Sequence, residues 1–277
     1  MGAAVSSARV ALLAVAVAVA PPAAASAEPL AATSDAGVLP RGSVVVGLLS
    51  PTRVGLDGML ELSTQLGWWA LLSPHLELRI AHLDGDRLRL TSSIGLWTPT
   101  PAMRLLKGYL FPEWERSDDD VGWFVVPELG VAASTGRRLM LTGQVRAAAG
   151  LGVGENAARS LDTFAPVELV FAPALNGHRV TASVIADGGV LRWLRLRLEL
   201  ALHHTGAGEP PRSPWMFQLS AAVDVALGRR VRLSAGLSYH NYDQRAEEVV
   251  RRADGRWERR GMRSNDVFPT LDLAWTR

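Results

Sequence analysis

The 277 residues contain no cysteine, so neither a disulfide framework nor a thiolate metal site can be built from them. Lysine is almost as scarce: Lys107 is the sole one, and the other basic residues are arginine. An excess of one charge is missing too, because 29 basic residues oppose 27 acidic ones, for a formal net charge of +2. A field that weak leaves no electrostatic footprint for nucleic acid. Charged residues are 20% of the chain and hydrophobic residues 48%, a balance that excludes a disordered polypeptide. Beyond the N-terminus no stretch reaches the about 18 consecutive apolar residues that a membrane-spanning helix needs. The six histidines form no H-x3-H pair, and the acidic run Asp118 to Asp120 reads as a solvated loop, so no metal is expected. Gly150, Gly152 and Gly154 lack a strand-turn-helix context, so no nucleotide or other cofactor is expected either.

What is present begins with an address. Met1 to Ala27 has the layout of a secretory signal peptide: Arg9 before an unbroken Val/Ala/Leu run from Val10 to Ala20, then the small-residue site Ala25-Ser26-Ala27. Residues 28–42 read as a flexible lead-in and 43–277 as one domain.

That domain alternates with period 2. In Leu194 to His203, five leucines (Leu194, Leu196, Leu198, Leu200, Leu202) fall on one side, and Arg195, Arg197, Glu199, Ala201 and His203 on the other. A helix would smear this set around its axis; a strand separates it into two faces. Similar patterns predict strands over 43–50, 59–72, 75–83, 87–97, 121–134, 139–150, 163–175, 179–187, 193–204, 215–227, 231–242 and 264–275. Most reach about 9–11 residues or more, the span a membrane-crossing strand needs. The expected fold is therefore all-β: a closed antiparallel transmembrane barrel of about 12 strands, range 10–14, with an apolar exterior and a polar lumen. With these boundaries the long segments 98–120 and 151–162 fall at the same end as the short turns. Either a strand is miscounted or 98–120 holds structure of its own, such as a short amphipathic helix through Ala102, Leu105, Leu106, Tyr109 and Leu110.

The last strand is the most specific signal. Leu271, Leu273 and Trp275 alternate with Asp272 and Ala274 almost at the C-terminus. This resembles the C-terminal strand signature of bacterial outer-membrane β-barrel proteins, which usually ends in Phe, whereas Trp275 here precedes Thr276 and Arg277. The resemblance implies an outer-membrane location, recognition of the strand by the barrel assembly machinery, and contact with outer-membrane lipids and lipopolysaccharide. The arginines of the 245–263 loop (Arg251, Arg252, Arg256, Arg259, Arg260) are within reach of lipopolysaccharide phosphates, although a run this charged reads first as a solvated, mobile loop.

The inward faces of the expected strands carry Glu61, Glu77, Glu128, Glu168, Glu199, Asp224 and Asp272 against Arg79, Arg87, Arg89, Arg146, Arg179, Arg195, Arg197 and Arg232. Unpaired charge in a confined bore is costly, so these groups should pair across strands. A wall of this kind suits a structural barrel or a narrow passage for small polar or anionic solutes, since arginine grips carboxylate and phosphate in a fork. Two other classes compete. An outer-membrane lipid-modifying enzyme would need a nucleophile beside a histidine; His203 and His204 fall on opposite strand faces, and Tyr239 to Asp243 matches no hydrolase motif. A soluble periplasmic lipid-binding β protein would pack Leu194, Leu196, Leu198, Leu200, Leu202, Trp215, Phe217 and Leu219 into a core instead of exposing them as a belt.

Overall fold

A computed structural model describes residues 34–85, 87–109, 121–153, 165–206, 213–252 and 256–277, with backbone alone for 244–251 and 257–262. The signal peptide, the acidic run at 118–120 and several arginines of 245–263 lie outside the described residues or side chains, and 245–263 is not the expected loop: its backbone is strand up to Arg251 and again from Trp257.

Twelve antiparallel strands close into a barrel. In chain order they are β1 (Val44–Gly47), β2 (Thr52–Gly55), β3 (Leu60–Thr64), β4 (His75–Asp84), β5 (Leu88–Trp97), β6 (Trp123–Thr135), β7 (Leu139–Ala149), then, after a three-residue extra strand β8 (Leu151–Val153), β9 (His178–Leu191), β10 (Leu194–His204), β11 (Trp215–Ala226), β12 (Val231–Arg251) and β13 (Trp257–Thr276). Each pairs with its sequence neighbours, β7 with β9, and β13 returns to β1 to close the ring. β8 continues β7 past Gly150 and pairs with the start of β6 in the same register. Full closure leaves no free sheet edge where the strands pair along their length, as spanning strands require.

The alternation becomes two faces. On β10, Arg195, Ala201 and His203 are buried inward, while Leu198 is 51% exposed on the outside. Leu196, Leu200, Leu202, Trp215 and Leu219 share that exposed outer face, and Leu271, Leu273 and Trp275 continue it on β13. The apolar residues therefore form an exterior belt, not a core between sheets.

The barrel is twelve-stranded as expected, but two errors in the expected boundaries cancel. The segment 163–175 is not a strand: Ala165–Asn176 is a helix, here α3. A short apolar run does not distinguish a strand from a buried helix. The decisive local signals are Pro166 at the helix start, Glu168 in the first turn, and Gly177 just past the end at φ 88°. Pro173 would also have interrupted a strand's hydrogen-bond ladder. The missing strand is β2, the short run Thr52-Arg53-Val54-Gly55 just after Pro51. The expected strand 59–72 stops at Thr64 and gives way to a one-turn helix, α1 (Leu66–Ala70). A tight turn joins β2 to β3, where the Asp57 carboxylate accepts from the Met59 and Leu60 amides at 3.0 and 2.8 Å.

These corrections sort the connections. Short turns 56–59, 85–87, 136–138, 192–193 and 227–230 lie at one end with both termini of the barrel; the loops 65–74, 98–122, 150–177 and 205–214 lie at the other. The 98–122 loop does hold a helix, α2 (Thr100–Leu106), with Ala102 and Met103 buried. Among the described residues, no helix is long and apolar enough to cross a membrane.

Candidate functional site: an obstructed polar lumen

The three helices fold over the loop end and form the largest buried apolar cluster among the described residues. Phe171, Ala174 and Leu175 of α3 pack with Ala102 and Met103 of α2, with Trp97, Phe124 and Val126 from the strands, and with Trp68 of α1. Trp68, Trp97 and Phe171 form a ring trio with centroids 5.0 to 5.8 Å apart. Helix α3 also reaches the far wall, where Ala165 and Leu169 meet Met216, Tyr242 and Phe268. A helix that is apolar nearly all round must be buried, and the barrel mouth is where α3 finds cover. Gly150, at the head of β7, makes room for it: a Cβ there would stand 1.9 Å from the Pro173 carbonyl oxygen. Arg179 ties the helix to the wall by donating to the Leu169 carbonyl at 2.7 Å while facing Glu128 at 3.4 Å.

The turn end is crossed by the chain itself. The described part of the lead-in, residues 34–43, follows the inner wall. Ser34 Oγ donates to Asp187 at 3.2 Å, the Ala36 amide to Ser134 at 3.1 Å, and the Leu39 amide to Glu61 at 2.8 Å. Asp35 pairs with Arg89, and Arg53 donates to the Gly37 carbonyl at 3.2 Å. The approach is close enough that a Cβ on Gly55 would lie 2.1 Å from the Pro40 carbonyl oxygen.

Between the two obstructions the charges pair, in part with residues outside the expected set. Glu61, 0% exposed, accepts from Arg53 Nε at 2.6 Å and Arg79 Nη1 at 2.8 Å. Glu77 faces Arg146 at 3.0 Å, and Asp187, also 0% exposed, holds Arg195 Nε at 2.6 Å. Glu199 lies among Arg197, Ser183 and Arg146, and Asp224 accepts from Ser234. Arg232 faces Asp224, Asp272 and Asp187. Asp272 also secures the β1–β2 connection by accepting from the Leu49 and Ser50 amides at 2.8 and 3.2 Å. Nearer the mouth a hydrogen-bonded chain runs around four strands: Thr181 to His203 at 2.9 Å, His203 to Gln218 at 3.0 Å, then Ser220, Ser238 and His240.

Two expected wall residues are elsewhere. Arg87 sits exposed in the β4–β5 turn, because β5 begins at Leu88. Glu168 is buried on α3, inside the mouth but not on a strand. Asp187, Asp35 and Arg53 were missed. Asp187 was legible, since it continues the odd-numbered inward series Arg179, Thr181, Ser183 of β9. Asp35 lies in the lead-in and Arg53 in the overlooked β2, so no strand pattern marked either. The Tyr239 to Asp243 patch divides between faces: Tyr239 and Asn241 bond to Asn265 outside, and His240 is buried inside.

Glu61→Gln keeps the size but removes the charge shared by two arginines. The expected cost is about 2 kcal/mol, the scale of hydrogen bonds to charged groups, read as a lower unfolding midpoint in denaturant. An unchanged midpoint would mean that the arginines find other partners.

No protein-family model matches the chain, and no curated protein is similar to it in sequence at a significant level. Among solved structures, the outer-membrane expressed OmpT of Vibrio cholerae aligns at 10% identity with a TM-score of 0.41, covering 82% of this chain and 64% of that one. An anion-selective porin from Comamonas acidovorans aligns at 10% identity with a TM-score of 0.38, covering 84% and 57%. The chain thus spans less than two thirds of the length of these structures. Strand pairing within this chain, not those similarities, carries the fold. A closed twelve-stranded antiparallel barrel with an apolar outer belt, a charged lumen, short turns at one end and long loops at the other is the architecture of outer-membrane β-barrel proteins, and this chain has it.

Proposed function

We propose that the protein is exported behind residues 1–27, is assembled into the outer membrane of a Gram-negative bacterium through its last strand, and serves there as a non-enzymatic barrel, closed at rest. Its enclosed polar chamber passes or binds a small polar or anionic solute, and its outer surface meets outer-membrane lipids and lipopolysaccharide. The observation that carries this reading is the double obstruction: α3 spans the mouth from Phe124 to Phe268, and residues 34–43 cross the opposite end. Between them lies a wall of paired arginines and carboxylates, on which the half-exposed Arg146, paired with Glu77, is the group an anion would meet once the bore opens. Arg195 is less available, being locked to buried Asp187.

The rival reading as a lipid-modifying enzyme has one feature in its favour, Ser238 Oγ at 2.9 Å from His240 Nε2. The other ring nitrogen of His240 has no hydrogen-bond partner among the described residues, and Asp266, opposite it on β13, accepts from Tyr242 and Ser264 instead, so no carboxylate there is hydrogen-bonded to the imidazole as in an activated Ser–His pair.

Fractionation with heat-modifiable gel mobility tests the location, and a species confined to the soluble periplasm would reject it. In planar bilayers the intact protein is expected to show small conductance or none; a large, stable, unselective conductance would refute the closed barrel.

A further inference from the structure

The barrel wall is not equally tall all round. Strands β1, β2 and β3 have 4, 4 and 5 residues, whereas their neighbour β13 has 20. Pairing of β13 with β1 ends at Gly47↔Ala274, followed by one hydrogen bond from the Leu48 amide to the Leu273 carbonyl at 3.0 Å. Above that level, β13 has extended contact with β12 alone among the described elements.

The parity of the remaining bonds shows what the open edge presents. Val44 and Arg277 exchange both backbone bonds, and Leu48 bonds Leu273, so the odd-numbered residues of β13 turn their amides and carbonyls toward β1. Above Leu273 these are Leu271, Pro269, Val267 and Asn265. Their backbone groups on this edge have no partner among the described residues. Outwardly, the Tyr239–Asn241–Asn265 cluster marks the polar limit of the belt and Trp275 its other end. The open edge between them therefore lies at membrane depth, where unpaired backbone groups are strongly disfavoured unless water reaches them from the lumen.

An added strand is the obvious way to cover such an edge, and Pro269 opposes it. Proline has no amide to donate and sits where a partner strand would need one, as on edges kept unpaired. The gap has a built interior instead. Just inside it, Phe268 of β13 packs against the cluster of Leu169 of α3, Met216 and Tyr242, an apolar patch beside the polar wall of the lumen. The rim outside is apolar as well, with Leu271 and Val267 on β13 and Leu48 and Leu49 on the β1–β2 connection all exposed.

We propose that this gap is a lateral port through which a single-chain amphiphile, a hydrocarbon tail with an oxygen-bearing head, passes between the membrane and the lumen. The tail lies on the Phe268–Leu169–Met216 patch. The head accepts hydrogen bonds from the open-edge amides of Leu271 and Val267, which are donors that lipid tails cannot satisfy.

The test uses the full-length mature protein in phosphatidylcholine vesicles, with a diazirine-bearing sixteen-carbon fatty acid as the probe and mass spectrometry to locate adducts. Adducts are expected on the inward residues Phe268, Leu169 and Met216, falling several-fold when unlabelled palmitate is added in excess. Adducts on the outward Leu198 should not fall. Pro269→Trp, which narrows the rim from outside, should lower inward labelling several-fold while heat-modifiable mobility is kept. Labelling confined to outward residues, or inward labelling that palmitate does not displace, would overturn the port. So would a disulfide-linked dimer formed efficiently by Val267→Cys, because a second copy would then cover the edge.

Discussion

Stable conductance steps, absent from the intact protein, are expected when Ala165–Asn176 is replaced by a Gly-Ser linker. Helix α3 bridges the mouth between the cluster around Trp97 and Phe124 and the opposite cluster at Met216, Tyr242 and Phe268. With it gone, the bore should be wider than that of an eight-stranded barrel, whose side chains just fill it, and narrower than a sixteen-stranded porin. Residues 34–43 still cross the turn end, so the steps should be modest, and deleting 34–41 in the same background should enlarge them. A gentler change points the same way. Phe171 is 1% exposed and touches both tryptophans, so Phe171→Ala should cost about 3–5 kcal/mol. That loss falls on the docking of the plug, and it should appear as intermittent opening. The linker variant also exposes the chamber's selectivity. Adding Arg146→Ala with Arg197→Ala should shift its preference toward cations, because Glu77 and Glu199 then lose their nearest positive partners. Silence of the linker variant in planar bilayers would show that something other than α3 closes the barrel.

Leu198→Arg should be the most damaging single substitution on the outer face. Leu198 lies mid-strand, opposite Ala186 on β9 and Ala221 on β11, and points outward at 51% exposure. An arginine at the bilayer midplane on the lipid face costs about 2–4 kcal/mol. Its small neighbours offer nothing to pair with it. Arg197→Leu, one residue away, should leave the belt intact and act inside, where Glu199 loses its main positive neighbour. Folding yield into vesicles separates the two: a strong drop for the first and a slight one for the second. Equal tolerance would mean that the two faces of β10 had been exchanged.

The contrast at these two residues is the kind of information that period 2 carries. On β10 the leucines and the charged residues were assigned to their faces from the sequence, and the structure agrees residue by residue, because strand pleating forces consecutive side chains apart. The same rule placed Glu61, Glu77, Arg79, Glu128, Arg146, Arg179, Arg195 and Asp224 on the inner wall, and Leu271, Leu273 and Trp275 on the outer one. It failed where the chain does not pleat. The 163–175 segment holds Val167, Val170 and Phe171, which suit a strand, and local apolar content is blind to whether cover will come from a sheet or from a barrel's interior.

The sequence by itself therefore determined the class of fold, the two faces of the long strands and the turn-separated order along the chain, since these follow from local periodicity and from the need to satisfy every backbone group in a spanning strand. Tertiary structure alone decided what fills the bore. The burial of α3, the passage of residues 34–43 beside Gly55 and the short wall at β1 to β3 depend on groups more than a hundred residues apart meeting in space, such as Ser34 with Asp187 or Trp68 with Phe171. No local pattern records such a meeting, because its energy arises only once the barrel has closed around it.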